Sequence, residues 1–409
     1  MFKRFVSVFL CVLLVFGVFS VVHADETVEL RCQFWFDSAD MAGWQAIIDK
    51  FETENPGIKV VLESTTFGDY WTKLNTQTTS NSVADVFGMV SMYSQDYMAS
   101  GVAMPLKQFA EQDEGFIGFD NYYQAIMSAY TYNDDFYFLP YDMSTELLLV
   151  NKDILADCGI EYKPEGYTRE DIEVMGPILK DKGYYTLKVC PRDWTYYDLL
   201  TRSGCAIIDD EGKLNLNNDA VIEVTQYYAD LMAKGYAPYQ ADKTDYFTSG
   251  MCAMTMVNPE VAASNIKNME ADLDVIAAYP TEIEGGKVIA EGGSWGIYSG
   301  TQHPEEAWKL LKALTDAYCS INMVAGDFRG IPTVNDPTAV DAFLSSEFAP
   351  EHAQLFLDML SDSTRADYPN RTAVEGEMKT QLSLIYAGDV TAADGLAEFQ
   401  EVADELMAE

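Results

Sequence analysis

Val28, Leu30, Cys32, Phe34 and Phe36 alternate with other residues, the period of a strand with one buried face. Asp37, Ser38 and Asp40 follow as turn and cap residues. Trp44, Ile47, Ile48 and Phe51 then recur at helical spacing, and the helix they predict stops before Asn55-Pro56-Gly57. Ile58 to Leu62 reads as a second strand, a helix from about Asp69 carries Trp71 and Leu74, and Asp85 to Val90 reads as a third strand. A helix from about Tyr93 to Ser100 ends at Gly101. Strands and helices that alternate across short connections predict an α/β unit with a largely parallel sheet.

The middle of the chain is less regular. Tyr122 to Tyr141 is dense in aromatic residues, and Leu139-Pro140 leads into an apolar strand over 145–151, where the chain can cross between lobes. Helices are predicted over about 169–182 and, from Val221, Val224, Tyr228, Leu231 and Met232, up to Gly235. Cys252 to Val257 and Asp274 to Ala278 read as strands, and Glu284-Gly285-Gly286-Lys287 as a hairpin turn. His303-Pro304-Glu305 starts a helix marked by Ala307, Leu310, Leu311 and Leu314, and the tail reads as helical. There is no internal repeat and no linker long enough to separate independent domains.

The N-terminus changes this picture. Lys3 and Arg4 precede an almost wholly apolar run from Phe5 to Val22, and Val22-His23-Ala24 ends in a small residue. That order predicts a cleaved export signal over residues 1–24, with an uncleaved anchor as the alternative. No lipid-attachment box surrounds Cys11, so the expected location is periplasmic or extracellular. Removing 24 residues from 409 leaves 385, which is long for one core and predicts two lobes. The formal charge of −39 becomes −41 without Lys3 and Arg4. Such a surface repels phosphate backbones and argues against nucleic acid as a partner. Cys32, Cys158, Cys190, Cys205, Cys252 and Cys319 allow disulfides, but their apolar neighbours favour buried free thiols.

Catalytic signatures are missing. Neither common phosphate loop nor a GxSxG elbow occurs, and His303 and His352 read as solvated helix residues. No metal site and no cofactor is expected. Binding chemistry is better represented. Trp295 lies in Glu291-Gly292-Gly293-Ser294-Trp295-Gly296-Ile297, where adjacent glycines let a backbone approach a ligand beside an indole face. Such a face suits the C–H side of a sugar ring. Trp194 is a second candidate, from the other lobe. For both, a place in the core is the alternative.

In order along the chain, several segments carry a resemblance. They are Trp44…Phe51-Glu52-Thr53-Glu54-Asn55-Pro56-Gly57-Ile58-Lys59-Val60, Tyr70-Trp71…Leu74, Ala84-Asp85-Val86-Phe87 and Gly101-Val102-Ala103-Met104-Pro105-Leu106. Leu139-Pro140-Tyr141 precedes Leu149-Val150-Asn151-Lys152-Asp153, with Val150 where a tyrosine is usual. Phe247-Thr248-Ser249-Gly250-Met251-Cys252-Ala253-Met254 matches a helix-to-strand signature. The Trp295 segment, Glu306-Ala307-Trp308 and Gly330-Ile331-Pro332 complete the series. Together they resemble carbohydrate-type extracellular solute-binding proteins of ABC importers, the maltose-binding-protein-like group.

The resemblance implies an α/β, two-lobed type II periplasmic-binding-protein fold with several chain crossings. The expected lobes are 25–139 with 291–338, and 140–290 with 339–409. Hinges are expected near 140–144, 290–292 and 335–337. The implied function is capture of a sugar or oligosaccharide by a monomer and delivery to membrane permease subunits, without catalysis. A binder of another polar or cationic, polyamine-like solute is the nearest alternative, and a secreted carbohydrate-active enzyme a further one. Ligands in such lobes sit at the carboxyl ends of strands, here Asp37 and Ser38, Thr66 and Phe67, and Ser91 to Tyr93. Tyr93, Tyr141 and Arg329 are further polar candidates, with turn, cap or ion-pair roles as alternatives. Where many relatives place Gly-Trp after the Ala253-Met254 strand, this chain has Asn258-Pro259-Glu260. A stacking ring is thus replaced by Asn258 or Glu260 as hydrogen-bonding groups.

Overall fold

The computed structural model describes residues 27–35, 41–188, 193–209, 213–239, 245–276, 286–326 and 328–408. The expected export signal, Phe36 to Asp40, Cys190 and the first half of the 284–287 turn lie outside these residues, as does the side chain of Trp194.

The first lobe starts with β1 (Val28–Trp35), α1 (Met41–Glu54), β2 (Ile58–Thr65), α2 (Phe67–Ser80) and β3 (Val86–Val90). β1 pairs in parallel with β2, from Val28 opposite Ile58 to Trp35 opposite Thr65, and with β3 on its other side. α1 buries Trp44, Ile47, Ile48 and Phe51, the stripe its sequence shows. α2 starts where the Thr66 side chain accepts from the Asp69 N–H, and it ends at left-handed Asn81. The region after β3 is a single 3-10 turn over Ser91–Tyr93 followed by a short helix, Ser94–Ala99.

β4 (Phe138–Pro140) closes one edge of this sheet, and the chain then enters the second lobe. There β5 (Leu147–Asn151), β6 (Tyr185–Lys188), β7 (Cys252–Val257) and β8 (Leu273–Ile276) form a sheet in the order β8-β5-β7-β6. Around it lie α3 (Arg169–Asp181), α4 (Asp193–Arg202), α5 (Asp219–Lys234) and α6 (Pro259–Asn268). Thr168 and Asp171 form a reciprocal capping box on α3. Residues 246–250, expected to end a helix, run as turns into β7.

The chain returns through β9 (Gly293–Ile297), which completes the first sheet in the order β2-β1-β3-β9-β4. β9 is antiparallel to both neighbours, as β5 is to β7 and β8. The two sheets are therefore mixed, not simply parallel. α7 (Pro304–Ala313) and α8 (Pro337–Leu344) follow, and α9 (Arg371–Ala387) and α10 (Ala392–Ala408) end the chain.

Leu30, Cys32, Ile47, Trp295 and Leu310 belong to one core, and Leu148, Val150, Leu187, Tyr228, Leu382 and Phe399 to another. A third runs between the sheets, from Phe87 and Phe138 to Leu147, Val275, Phe343 and Phe356. Three connecting segments lie side by side in this middle region. Ile331–Pro332 pairs with Asp142–Met143, and Ser144 bridges Glu291. The described cysteines are all free, and only Cys158 among them is partly exposed. Burial pushes the Cys252 thiol up to about 12, where it behaves as an inert apolar group.

His352 is not the solvated helix residue its sequence suggests. It sits in a turn, and its Nδ1 lies 2.7 Å from the buried Asp274 carboxylate on edge strand β8. Asp274 also accepts from the Tyr162 hydroxyl and the Val275 N–H. Glu351 joins Asp274 and His352 in placing potential ligand atoms within 4.8 Å of one another. With the Asp274 oxygens so committed, the cluster fastens the tail to a sheet edge. Among the described residues, no helix is long and apolar enough to cross a membrane.

Candidate functional site: a cavity beside the connecting segments

A cavity of about 340 Å³ opens where the connecting segments meet the ends of β1 and β2. It is at the lower end of the roughly 300–1,000 Å³ of small-molecule sites. Its wall begins with Phe34 and Trp35 at the end of β1, and with Thr66 and Phe67 at the start of α2. Trp44 of α1 and Met323 and Val324 of a π-helical turn extend it. Tyr141, Asp142, Glu260 and Arg329 supply its polar rim. Carboxyl ends of strands thus meet the start of a C-terminal-lobe helix, as expected for ligand sites in α/β sheets.

Phe34 and Trp35 stack at 3.8 Å and 22°, and the other lining rings meet them or one another at corners. Trp44 and Tyr141 meet at 86° with centroids 5.2 Å apart, and Phe34 meets Tyr141 at 71°. Trp35 and Phe67 meet at 89° and 5.5 Å. Aromatic contacts continue from Trp35 to Trp71, and from Trp71 to Tyr93 at 4.6 Å. This mix of stacked, tilted and edge-to-face contacts holds each ring in a fixed orientation and leaves flat apolar walls.

The charges come from three different elements. Arg329 precedes Ile331–Pro332, and its guanidinium lies 3.3 Å from Glu260 in the first turn of α6. Asp142 follows Tyr141, and its carboxylate takes the Gly293 N–H at 2.5 Å. Burial pushes the Asp142 carboxyl up to about 7, and Glu260 adds to the rise. The Gly293 N–H and Arg329 oppose it. Burial likewise pushes the Tyr141 phenol well up, so it stays a neutral donor.

The family profile for bacterial extracellular solute-binding proteins matches residues 36–317, well over half of the chain. The chain belongs to this family. A binding protein of Brucella abortus is 24% identical to it over 282 residues, 64% of this chain and 66% of that protein. The arabinooligosaccharide-binding protein of Halalkalibacterium halodurans is 22% identical over 221 residues, 51% of this chain and 48% of that protein. An ABC substrate-binding protein of Listeria monocytogenes, solved with cycloalternan, superposes with a TM-score of 0.85 at 18% identity. That superposition covers 93% of this chain and 99% of the other, and it establishes the shared two-lobed fold.

Of the sequence candidates in this solute-binding protein, Phe67, Tyr141 and Arg329 come together in the cavity wall. Trp295 does not reach it. Its indole is fully buried and stacks behind Phe34 at 4.5 Å, with Trp44 across it at 5.3 Å. The ring expected to stack on a ligand therefore supports the rings that form the wall. The paired glycines also have another reason. A side chain on Gly292 would strike the Asp142 backbone, and one on Gly293 the Tyr141 ring. They let β9 lie close against the connecting segment that carries both site residues.

Asn258 caps α6, its side chain accepting from the Val261 N–H at 2.9 Å. The cap role explains it, and it orients the helix turn that presents Glu260. Tyr93 stands away from the cavity, with Trp71 on one side and its hydroxyl 3.5 Å from Glu375. Ser91, at the same strand end, donates to Glu291 and receives the Gly292 N–H. Buried Arg371 lies 2.6 Å from Glu375 and 3.6 Å from Glu291, which ties α9 to the end of β3. Asp37, Ser38 and the Trp194 side chain lie outside the described residues.

Phe34, Trp35, Trp44, Asp142, Met323 and Val324 line the cavity and were not among the sequence candidates. Trp44 looked like one more core position of α1, and it is both core and wall. Asp142 had a signal: a carboxylate next to Leu139-Pro140-Tyr141, at the crossing between lobes.

Proposed function

We propose that this protein captures a sugar or oligosaccharide between its lobes and hands it to membrane permease subunits. One observation carries the reading: an aromatic-walled cavity whose rim joins Asp142, Glu260 and Arg329 beside the connecting segments. Flat rings cover the C–H faces of a sugar, and carboxylate and guanidinium groups accept from or donate to paired hydroxyls. The family and the solutes named for two relatives, an arabinooligosaccharide and cycloalternan, support the same class. The lobes are 25–139 with 291–338 and 140–290 with 339–409, and they move about the segments near 140–144 and 290–292. Closure is a population shift, driven by contacts made only when both lobes touch the solute. The protein acts after export, with its first 24 residues removed, and it transforms nothing.

A thermal-shift screen over mono-, di- and oligosaccharides tests this, with chromatography of each solute after incubation. A saccharide should raise the melting temperature and be recovered unchanged. No shift with any saccharide contradicts the capture reading. Turnover by catalytic amounts of protein replaces it with an enzyme reading.

A further inference from the structure

The cavity is built with more acid than a neutral sugar needs. Its rim holds two carboxylates, Asp142 and Glu260, and one guanidinium, Arg329. Arg329 lies against Glu260, while Asp142 takes a backbone N–H from Gly293. A carboxylate drawn out of water and given only partial compensation is costly when ionised. Around these groups Tyr141 meets Phe34 at 71° and Trp44 at 86°, Phe34 is tilted 49° to Trp44, and Phe67 meets Trp35 at 89°. Ring faces turned to one space in several directions attract a cation through their quadrupoles. Acid bias and an aromatic corner in one cavity favour the same kind of guest.

We propose that the solute carries a protonated amine, as an amino sugar or amine-bearing oligosaccharide does, held between Asp142, Glu260 and the aromatic corner. The inference rests on the saccharide-capture reading and narrows its substrate class. The ammonium supplies donors to Asp142 and Glu260 and restores the charge balance of the rim. The sugar ring takes the remaining aromatic wall. The elevated proton affinity of Asp142 agrees with this, since a bound cation would stabilise its ionised form.

Calorimetry with matched pairs tests it: glucosamine with glucose, galactosamine with galactose, and chitosan disaccharide with cellobiose. At least one amine member should bind about tenfold or more tighter than its neutral partner. Asp142→Asn keeps an acceptor for the Gly293 N–H, and Glu260→Gln changes a solvent-facing helix turn, so both variants should fold. In each the preference should fall to within about threefold. Equal affinity within each pair overturns the amine inference and leaves saccharide capture standing. So does a preference that survives both substitutions. Failure of every amine and neutral saccharide to bind overturns the capture reading as well.

Discussion

Phe67 and Trp295 separate binding from stability. Phe67 is 46% exposed at the cavity edge, and Trp295 is fully buried behind Phe34. Phe67→Ala should weaken saccharide binding by about 1–2 kcal/mol and leave the melting temperature unchanged. Trp295→Ala should cost about 3–5 kcal/mol of stability through a cavity in the core. Paired calorimetry and thermal melts check both, and the reverse pattern would return Trp295 to the ligand. Asp142 makes a pH prediction. Its native carboxyl titrates near 7, above the roughly 3.9 of an unfolded aspartate. The native state therefore holds the proton over a window where the unfolded state has lost it. Stability from this group falls as pH rises from about 4 to about 7. Glu260, Arg329, Tyr130, Tyr141 and Cys319 share its surroundings. Asp142→Asn should flatten that part of the stability profile in denaturant titrations, and an unchanged slope would contradict the assignment.

At the scale of elements, α9 is anchored to the first lobe through a buried ion network. Arg371 meets Glu375 one turn along its own helix and Glu291 beside β9, and Arg365 reaches the Ser91 and Ala290 carbonyls. Arg371→Ala takes the guanidinium away from two buried carboxylates and should cost about 3–5 kcal/mol, measured by chemical denaturation. A loss below about 1 kcal/mol would show that the network is not part of the folded state in solution. Elements with clear periods were legible in the sequence. β1, α1, α5 and β7 lie where alternation, the Trp44 to Phe51 stripe, Gly235 and the Cys252 to Val257 run put them. α4, α6 and α8 were not read, because their apolar positions are mixed with polar ones or start at a proline after a cap. The mixed sheets were missed for a different reason. β5 and β9 are antiparallel because the chain enters each lobe from the opposite end, and strand direction has no period to show it. The site was legible only in part. Phe67, Tyr141 and Arg329 stood beside turns, whereas Phe34 and Trp44 read as buried positions, where burial and lining coincide, and half-buried Trp35 fell among the residues between the alternating apolar ones of β1.

For the whole molecule, the proposed capture makes the connecting segments beside the cavity a hinge, with the solute bound between the lobes. A solute that touches Phe67 on one lobe and Glu260 on the other binds the closed form better than the open one. That differential affinity is what shifts the balance between them. Export belongs at this scale too: N-terminal sequencing of protein from its host should begin at Asp25, and a chain still starting at Met1 would contradict the leader reading. Small-angle scattering tests capture between lobes most directly. The protein should be measured alone and with the saccharide that raises its melting temperature most. A smaller radius of gyration, reached at saturation with the saccharide chemically intact, is the predicted result. An unchanged radius with the saccharide demonstrably bound would contradict closure around the solute.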